Sequence, residues 1–393
     1  MKVFVTGIGV VSSLGNNASE NFASLKGEKT GISKFYESNL DRNLYAGLVN
    51  LSNQELAELC GYSNTDISRT SLLGLLAVKE CWGNNQLSSD LRTGLISGTS
   101  VGGMDKTEIF YRNKLNNEPA DFKDLQYHDS GNTTEKIADV IGFSGYVNTI
   151  STACSSGSNA IMNGARMILA DKLDRVIVGG VDALTQFTIS GFSSLMIYNE
   201  ELCKPFDENR QGLNLGEGAG FLLLESEESQ KNTQNTILGV VDGWANTADA
   251  FHQTATSPMA DGATLAMNGA LEKANLTANA IDYVNAHGTG TKNNDLTESV
   301  ALKNVFGDNI PAFSSTKAYT GHTLAASGAI EAVFSILALQ NKVIYPNLRF
   351  TDCISETALV PQKEFQTVNK IEHIMSNSFG FGGNCTSLVF SDK

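Results

Sequence analysis

The sequence predicts an α/β protein made of two similar halves, and three observations support this fold class. Short apolar, β-branched runs alternate with segments whose apolar residues recur at helical spacing. Both halves open on a comparable strand, and both carry a glycine-rich corner between a strand and a helix. A polar stretch without periodicity, 225–235, lies between them, so we expect one half over 1–235 and the other over 236–393. The alternation also predicts parallel sheets covered by helices.

The first half contains most of the predicted elements. Its strands are expected at 3–11, 92–99, 146–150, 175–180 and 221–224. Its helices are expected at 19–27, with Ser19 as N-cap, at 68–82, in a polar segment ending near 117, at 132–141 and directly after residue 154. The segment from 30 to about 64 shows no clear period and is expected to be irregular.

The second half repeats the alternation. Its strands are expected at 237–243, 281–286, 311–314, 373–379 and 386–390, the last two joined by a glycine turn. Its helices are expected at 262–275, 295–305 and 325–339.

Composition limits the function classes. The chain has 393 residues and a formal net charge of −14, which argues against nucleic acid as a general partner because phosphate binding needs a concentrated basic surface. Six scattered cysteines without a CxxC pair suit a reducing cytosol, so we expect a cytoplasmic protein. No signal peptide is predicted, and no run approaches the roughly 18–20 apolar residues that span a membrane.

Cys154 is the first candidate catalytic residue. It lies where a predicted strand turns into a helix, with small residues on both sides. The free N–H groups and the positive dipole end of a helix N-terminus favour the thiolate of a cysteine placed there. The alternative is a small buried cysteine that only packs at the corner.

Two histidines, His287 and His322, share a similar setting. Each lies in a glycine- and hydroxyl-rich corner that follows a predicted strand, where α/β sheets place ligand-contacting groups. Either could instead be a structural histidine. A thiolate with two imidazoles can perform acyl transfer, in which sulfur carries the acyl group and ring N–H groups stabilise charge on a carbonyl or enolate. No HxxxH or CxxC spacing is present, so no metal site is predicted.

Three further residues are candidates for the functional site, and each could instead have an ordinary structural role. Lys317 could orient the His322 corner or be an exposed lysine, and Glu331 could be a buried partner or a polar-face residue. Phe381 lies between glycines in a predicted turn, where backbone N–H groups can face an oxyanion and the ring can swing. The alternative for Phe381 is a core residue beside an ordinary β-turn.

Taken together, the motifs resemble the elongating β-ketoacyl-[acyl carrier protein] synthases of the thiolase superfamily over nearly the whole chain. The matching stretches are Thr152-Ala153-Cys154-Ser155-Ser156-Gly157, Pro205-Phe206-Asp207, Gly216-Glu217-Gly218-Ala219-Gly220, Asn285-Ala286-His287-Gly288-Thr289, Ser315-Thr316-Lys317 with Gly321-His322, and Asn377-Ser378-Phe379-Gly380-Phe381-Gly382-Gly383. The resemblance implies a thiolase-like fold, with sheets sandwiched by helices, and a dimer, as a homodimer or a heterodimer. It implies no permanently bound cofactor, because the substrate arrives on the 4'-phosphopantetheine arm of an acyl carrier protein.

The resemblance also implies residue roles. Cys154 would accept the acyl chain, while His287 and His322 would promote decarboxylation of a malonyl thioester and hold the enolate. Lys317 and Glu331 would support the His322 region. The amides of Cys154 and Phe381 would form the oxyanion hole, with Phe381 as a gate, and Val101 would line the acyl pocket. We accordingly expect His322→Ala to spare acyl loading more than condensation.

The chain departs from the family pattern in three respects, and one of them is Gly290, which stands where serine is common. Gly382-Gly383-Asn384-Cys385 stands where Gly-Gly-Thr-Asn is common, so the hydrogen bonds of that turn could differ. Few basic residues are available to dock an acidic carrier, and Arg69, Lys123 and Arg210 are candidates for that role.

Three functions therefore stand beside one another. The leading one is a condensing enzyme of fatty acid or polyene/polyketide biosynthesis. A chain-length-factor-like partner subunit without catalysis is the alternative, and it is disfavoured because such subunits lack the nucleophile. A degradative thiolase is disfavoured because the two-histidine pattern differs from the Cys/His/Cys pattern of that family.

Overall fold

The computed structural model describes residues 2–38, 40–62, 66–87 and 90–393. The strands in these ranges are β1 Val3–Val11, β2 Ile32–Glu37, β3 Arg42–Gly47, β4 Thr93–Gly98, β5 Tyr146–Ile150, β6 Arg175–Asp182, β7 Gly218–Ser226, β8 Gly239–Ala248, β9 Tyr283–Asn285, β10 Ala312–Ser314, β11 Val343–Ile344, β12 Gln366–Thr367, β13 His373–Gly380 and β14 Asn384–Ser391. The α-helices are α1 Ala18–Lys26, α2 Asn53–Leu59, α3 Arg69–Trp82, α4 Met104–Leu115, α5 Ser130–Val140, α6 Ser156–Leu169, α7 Gln186–Ser194, α8 Glu227–Thr233, α9 Asp261–Ala274, α10 Lys292–Phe306, α11 Lys317–Thr320 and α12 Ser327–Asn341. Short 3-10 helices occupy Phe122–Tyr127, Ala278–Ala280 and Leu324–Ala326.

Ten strands form one continuous mixed sheet in the order β10-β9-β13-β14-β8-β1-β7-β6-β4-β5. The strands before residue 235 occupy one end of this sheet and the later strands the other. The junction between them is a short antiparallel contact of β1 with β8, at Phe4–Val240 and Val5–Gly239. Helices cover the sheet, so the predicted α/β class with helices around the sheet is confirmed.

The expectation of parallel sheets is only partly correct. The pairs β4–β5, β4–β6, β9–β10 and β9–β13 are parallel. The pairs of β7 with β1 and β6, and of β14 with β8 and β13, are antiparallel. The reason is local connectivity: β13 and β14 are joined by a tight glycine turn, and a tight turn can only join antiparallel strands.

The segment expected to be irregular, 30–64, is the largest error in the element assignment. It holds the β2–β3 hairpin and α2. Two smaller differences concern helix starts. Asn17, not Ser19, caps α1, because its side chain accepts the Glu20 N–H. Ser68 caps α3 from just outside the helix and accepts the Ser71 N–H.

Helices α6 and α12 lie in contact with each other and with strands from both ends of the sheet. Every residue of α12 from Ser327 to Leu339 is buried. A Cβ added at Gly157 would lie 2.8 Å from the Cβ of Ala329, so glycine is what lets the two helices approach here. This contact fixes the start of α6 against the start of α12.

One sequence expectation about membranes needs correction. The stretch Leu324–Asn341 is long and apolar enough to cross a membrane by length and composition, although no such run was expected. In the structure 89% of this stretch is buried inside the molecule, which is typical of a core helix.

Candidate active site

Cys154 lies in a sharp turn between the end of β5 and the start of α6. The residue before it, Ala153, has a left-handed backbone with φ of 52°, a conformation that costs a non-glycine residue roughly 1 kcal/mol. The turn is held locally: the Ser156 hydroxyl donates to the Ala153 carbonyl at 2.6 Å and accepts the Thr152 N–H at 2.8 Å. The strained turn therefore has a fixed shape, and it points the Cys154 sulfur toward the two predicted histidines.

His322 contacts this sulfur directly. Its Nε2 lies 3.1 Å from the Cys154 Sγ. Its Nδ1 accepts the backbone N–H of Leu324 at 3.2 Å, and Leu324 has a left-handed φ of 53° that brings this N–H to the ring. Because a backbone N–H can only donate, Nδ1 carries no proton in the neutral ring. The ring proton is then on Nε2 and faces the sulfur.

His287 lies beside His322 with its ring nearly perpendicular, at 87°, and the ring centroids are 5.4 Å apart. Its Nδ1 is 3.2 Å from the Lys317 Nζ. An ammonium group only donates, so this contact leaves the His287 ring proton on Nε2 as well. The two imidazoles are thus fixed in the same tautomer by different donors, one a backbone amide and the other a lysine.

Lys317 is buried and links three groups. Its Nζ donates to the His287 carbonyl at 2.6 Å and to the Glu331 carboxylate at 2.5 Å, in addition to the imidazole contact. The Lys317 and Glu331 side chains are only 2% and 3% exposed. Burial raises the pKa of Glu331 to about 7, and the neighbouring Lys317 charge acts in the opposite direction. The structure therefore brings Lys317 and Glu331 together with His287 rather than with His322.

Both histidines are neutral in this setting. Burial lowers the pKa of His322 well below its usual value, and the Lys317 charge lowers it further. Burial also lowers the pKa of His287, with Lys317 and then His322 adding to the effect. Neutral rings with Nε2–H groups can donate hydrogen bonds to an oxygen that gains negative charge.

We expect Lys317→Met to destabilise the fold by about 3–5 kcal/mol, because it leaves the Glu331 carboxylate buried without its cation. The double variant Lys317→Met/Glu331→Leu should recover most of this loss. The midpoint of urea unfolding measures both. The exposed pair Lys370–Glu372 provides the control, since solvent screens it and Lys370→Met should leave the unfolding midpoint nearly unchanged. Equal destabilisation by the single and double variants would contradict the buried-pair explanation.

The state of the resting thiol differs from the sequence expectation. Burial raises the pKa of Cys154 to about 11, while the Lys317 charge and the Phe381 N–H lower it without reversing the shift. The dipole at the start of α6 was expected to favour the thiolate, but Cys154 is 5% exposed, and removal from water outweighs the dipole. The resting residue is a thiol with hydrogen-bond donors placed to receive the thiolate.

The raised pKa of Cys154 predicts how the reactivity of this thiol depends on pH. Below a pKa of about 11, the thiolate fraction rises about tenfold per pH unit, so alkylation of Cys154 by iodoacetamide should keep rising between pH 7 and pH 9 without a plateau. Peptide mass spectrometry of Cys154 at each pH gives the rate. A plateau below about pH 8 would mean that the thiolate already predominates in the resting protein.

Phe381 lies in the turn between β13 and β14, and its backbone N–H faces the Cys154 sulfur. The turn approaches the nucleophile closely, because a Cβ added at Gly380 would lie 3.2 Å from the Cys154 nitrogen and 2.9 Å from the Thr152 carbonyl oxygen. The Phe381 ring stacks on Phe192 of α7, with centroids 5.7 Å apart and planes at 17°. Phe192 was not expected from the sequence.

Asn384 follows this turn and departs from the common family pattern, and its side chain makes several hydrogen bonds. The Asn384 Oδ1 accepts the Ser155 hydroxyl at 2.7 Å, the Asn159 amide at 2.9 Å and the Asn246 amide at 2.7 Å. One side chain thus joins the Phe381 turn to the first turn of α6 and to β8. Cys385 is buried.

Two buried carboxylates, also missed at the sequence level, hold the backbone of the site. Glu298 of α10 accepts the N–H groups of His287 at 2.9 Å and Gly288 at 2.8 Å. Asp182 accepts the N–H groups of Val101 at 3.1 Å and Ala325 at 2.9 Å. Both acids are fully buried and accept hydrogen bonds from backbone N–H groups, which fixes the loops beside His287 and His322.

Val101 belongs to a small buried apolar cluster near the site. Its neighbours there include Ile189, Leu213 and Leu324, with Phe192 packed against them. The cluster connects with the cavity through Leu213 and Phe192, which line it, whereas Val101 does not.

Two of the three basic residues considered for carrier docking serve the fold instead. The Arg69 guanidinium forms a two-pronged ion pair with Glu217, at 2.9 and 2.7 Å, and its side chain is 18% exposed. Arg210 is buried and donates to the carbonyls of Asp207, Thr291 and Lys292. Only Lys123 is exposed.

A cavity of about 430 Å³ contains Cys154, His287, His322 and Phe381 in its lining. Most other lining residues are neutral and polar or apolar, including Thr254, Thr289, Thr291 and Asn293. The predicted nucleophile, both predicted histidines and the predicted gate thus meet at one place. Lys317 lies behind His287, and Glu331 lies behind Lys317.

Comparison with known proteins agrees with this arrangement. Residues 1–230 match the model of the β-ketoacyl synthase N-terminal domain, and residues 238–351 match that of the C-terminal domain. The 3-oxoacyl-[acyl-carrier-protein] synthase 2 of Coxiella burnetii is 32% identical over 412 residues, covering 99% of this chain and 98% of the relative.

Solved structures with the same fold include ketosynthases that work with a second subunit. The ishigamide ketosynthase/chain length factor superposes with a TM-score of 0.93 at 28% identity, covering 100% of this chain and 99% of that one. The structure of the ketosynthase ApeO in complex with its chain length factor ApeC, from Xenorhabdus doucetiae, contains a chain that superposes with a TM-score of 0.87 at 30% identity, with coverage of 100% and 98%.

Proposed function

The chain belongs to the β-ketoacyl synthase family, and from that premise we propose that it catalyses a decarboxylative Claisen condensation with Cys154 as nucleophile. The observation that carries the proposal is the contact of 3.1 Å between the Cys154 Sγ and the His322 Nε2, with His287 beside it, inside one cavity. A chain that only shaped a partner's pocket would have no use for a strained turn that presents a thiol to two neutral imidazoles.

In the first half-reaction, the Cys154 sulfur attacks the carbonyl of an acyl thioester. The carbon–sulfur bond to the carrier arm breaks, and the thiol proton of Cys154 ends on the departing arm. The backbone N–H groups of Cys154 and Phe381 stabilise the oxyanion that forms on the way. The acyl group is now a thioester of Cys154.

In the second half-reaction, a malonyl thioester loses CO₂, and the electron pair of the broken bond forms an enolate. The Nε2–H groups of His287 and His322 donate to the enolate oxygen. The enolate carbon attacks the acyl carbonyl, and the Cys154–acyl bond breaks. The sulfur takes up one proton and returns to the thiol, and the β-ketoacyl product stays on the carrier arm. No step uses a permanently bound cofactor.

We also propose the partners of this protein, its pathway and its location in the cell. The substrates arrive on the 4'-phosphopantetheine arm of an acyl carrier protein, in fatty acid or polyene/polyketide biosynthesis in the cytoplasm. The working unit is a dimer, with a second copy or with a chain-length-factor subunit of the kind described for the ishigamide and ApeO proteins. The division of the chain into halves near residue 235 belongs to the proposal as well.

The alternative function is a non-catalytic, chain-length-factor-like subunit, and it is favoured by the same two solved complexes, which contain such subunits. Acyl loading separates the two functions. Intact-protein mass spectrometry after incubation with an acyl-carrier thioester should show a gain of one acyl group, and peptide mapping should place it on Cys154 rather than on the other five cysteines. A folded protein that gains no acyl mass from donors of any chain length would favour the partner-subunit function.

A further inference from the structure

The mouth of the cavity carries few charged side chains for a surface that is expected to receive an acidic carrier protein. We define the cavity mouth as six of the exposed or half-buried lining residues, namely Met196, Gln211, Thr254, Thr256, Lys292 and Asn293. We propose that the carrier protein docks at this mouth through apolar contacts centred on Met196, and not through an array of salt bridges. The inference rests on the proposed function, because only an arm-borne thioester needs a docked carrier.

Met196 is the most exposed large apolar side chain of the described chain, at 89%. It follows α7 with a left-handed φ of 56°, so its placement on the surface is also conformationally unfavourable for a residue with a Cβ. Its unbranched thioether can adapt to a partner surface, which is why methionine is common at binding surfaces. The same segment carries Phe192, whose ring stacks on the Phe381 gate.

A second exposed apolar residue lies in the loop on the other side of the gate. Phe251 is 56% exposed. Its loop contacts the gate turn directly, because the Gln253 carbonyl accepts the Gly382 N–H at 2.7 Å and the Asp249 N–H donates to the Gly383 carbonyl at 2.7 Å. Residues 254–256 of this loop line the cavity. Both apolar residues therefore belong to segments that contact Phe381 or the glycines after it.

Charge at the mouth does not suit an acidic partner. Among the described residues that line the cavity, Lys292 is the one charged side chain. Arg69 and Arg210 are bound to Glu217 and to backbone carbonyls and offer no cation to the surface. The net charge of −14 on the chain also opposes long-range attraction of an acidic carrier. The partner that fits this mouth carries exposed apolar side chains beside the serine that holds its arm.

The test compares two donors of the same acyl group, one on the carrier protein and one as a free pantetheine thioester, by the rate of acyl loading on the wild-type protein. Raising the ionic strength from about 0.05 M to about 0.5 M should change kcat/KM for the carrier-borne donor by less than about twofold. Met196→Arg and Met196→Gln should lower kcat/KM for the carrier-borne donor about tenfold more than for the free thioester. Leu265→Arg, which changes an exposed residue of α9 outside the cavity lining, is the matched control.

Each possible result of this test either supports the apolar docking inference or overturns it. A higher rate with Met196→Arg, or a steep fall with salt, would show ionic docking and overturn the inference while leaving the proposed function intact. Equal effects on both donors would also overturn it, since Met196 would then act on the cavity and not on the carrier. A Met196 variant that changes the oligomeric state in gel filtration would assign this surface to a subunit contact instead. Failure of the wild type to load from either donor would instead remove the proposed function itself.

Discussion

Cys154→Ala should abolish acyl loading, with a fall in rate of at least about a thousandfold. The reason is that no other thiol can take its place: the Cys154 sulfur is the one placed 3.1 Å from the His322 Nε2, and Cys154 is the only cysteine among the described residues lining the cavity. Intact-protein mass spectrometry with an acyl-carrier thioester measures the loss. Cys60→Ala is the control, because Cys60 is buried at the C-terminal end of α2, lies outside the cavity lining and should leave loading unchanged.

Residual loading of Cys154→Ala at a rate close to that of the wild type would contradict the assignment. It would place the acyl group on another residue, and the peptide map of the loaded variant would identify it.

His287→Ala should separate the two half-reactions. In the proposed mechanism the His287 Nε2–H donates to the enolate oxygen, whereas the ring that contacts the Cys154 sulfur in the structure is that of His322. We therefore expect the condensation rate to fall about 10²–10³-fold, the usual effect of removing one oxyanion donor, while loading falls much less. Single-turnover assays of each half-reaction give both rates. His128→Ala is the control, since His128 contacts Thr107 and lies outside the cavity.

Equal losses in loading and condensation for His287→Ala would contradict this division of roles. It would indicate instead that removing His287 disturbs the Lys317–Glu331 pair behind it and, through that pair, the site as a whole.

The sequence predicts the parts of the site that follow strands. Cys154, His287 and His322 were each expected at a strand-to-helix corner, and the structure brings all three together. The supporting acids could not be found in the same way. Glu298 and Asp182 act through backbone N–H groups that are distant in sequence or in another element, and such contacts leave no spacing pattern. The one local signal for Asp182 is its position as the last residue of a fully buried strand.

The main errors also have physical causes. The β2–β3 hairpin was missed because β2 shows no alternation of buried and exposed residues that a period of two would reveal, since its buried residues are the two at its ends, Ile32 and Glu37. Helix α2 in the same segment did carry a signal, the capping box of Ser52 and Glu55. The thiolate prediction for Cys154 failed because a helix dipole can be read from sequence, whereas the degree of burial that opposes it cannot.

The most direct test of the account is a single-turnover condensation. Protein loaded with one acyl group is freed of donor and mixed with malonyl-carrier, and the loss of acyl mass, the release of CO₂ and the product on the carrier are followed together. The account predicts that all three proceed at one rate, in equal amounts, and give a β-ketoacyl chain longer by two carbons. Release of CO₂ without discharge of the acyl group, or discharge by water to a free acid, would contradict it.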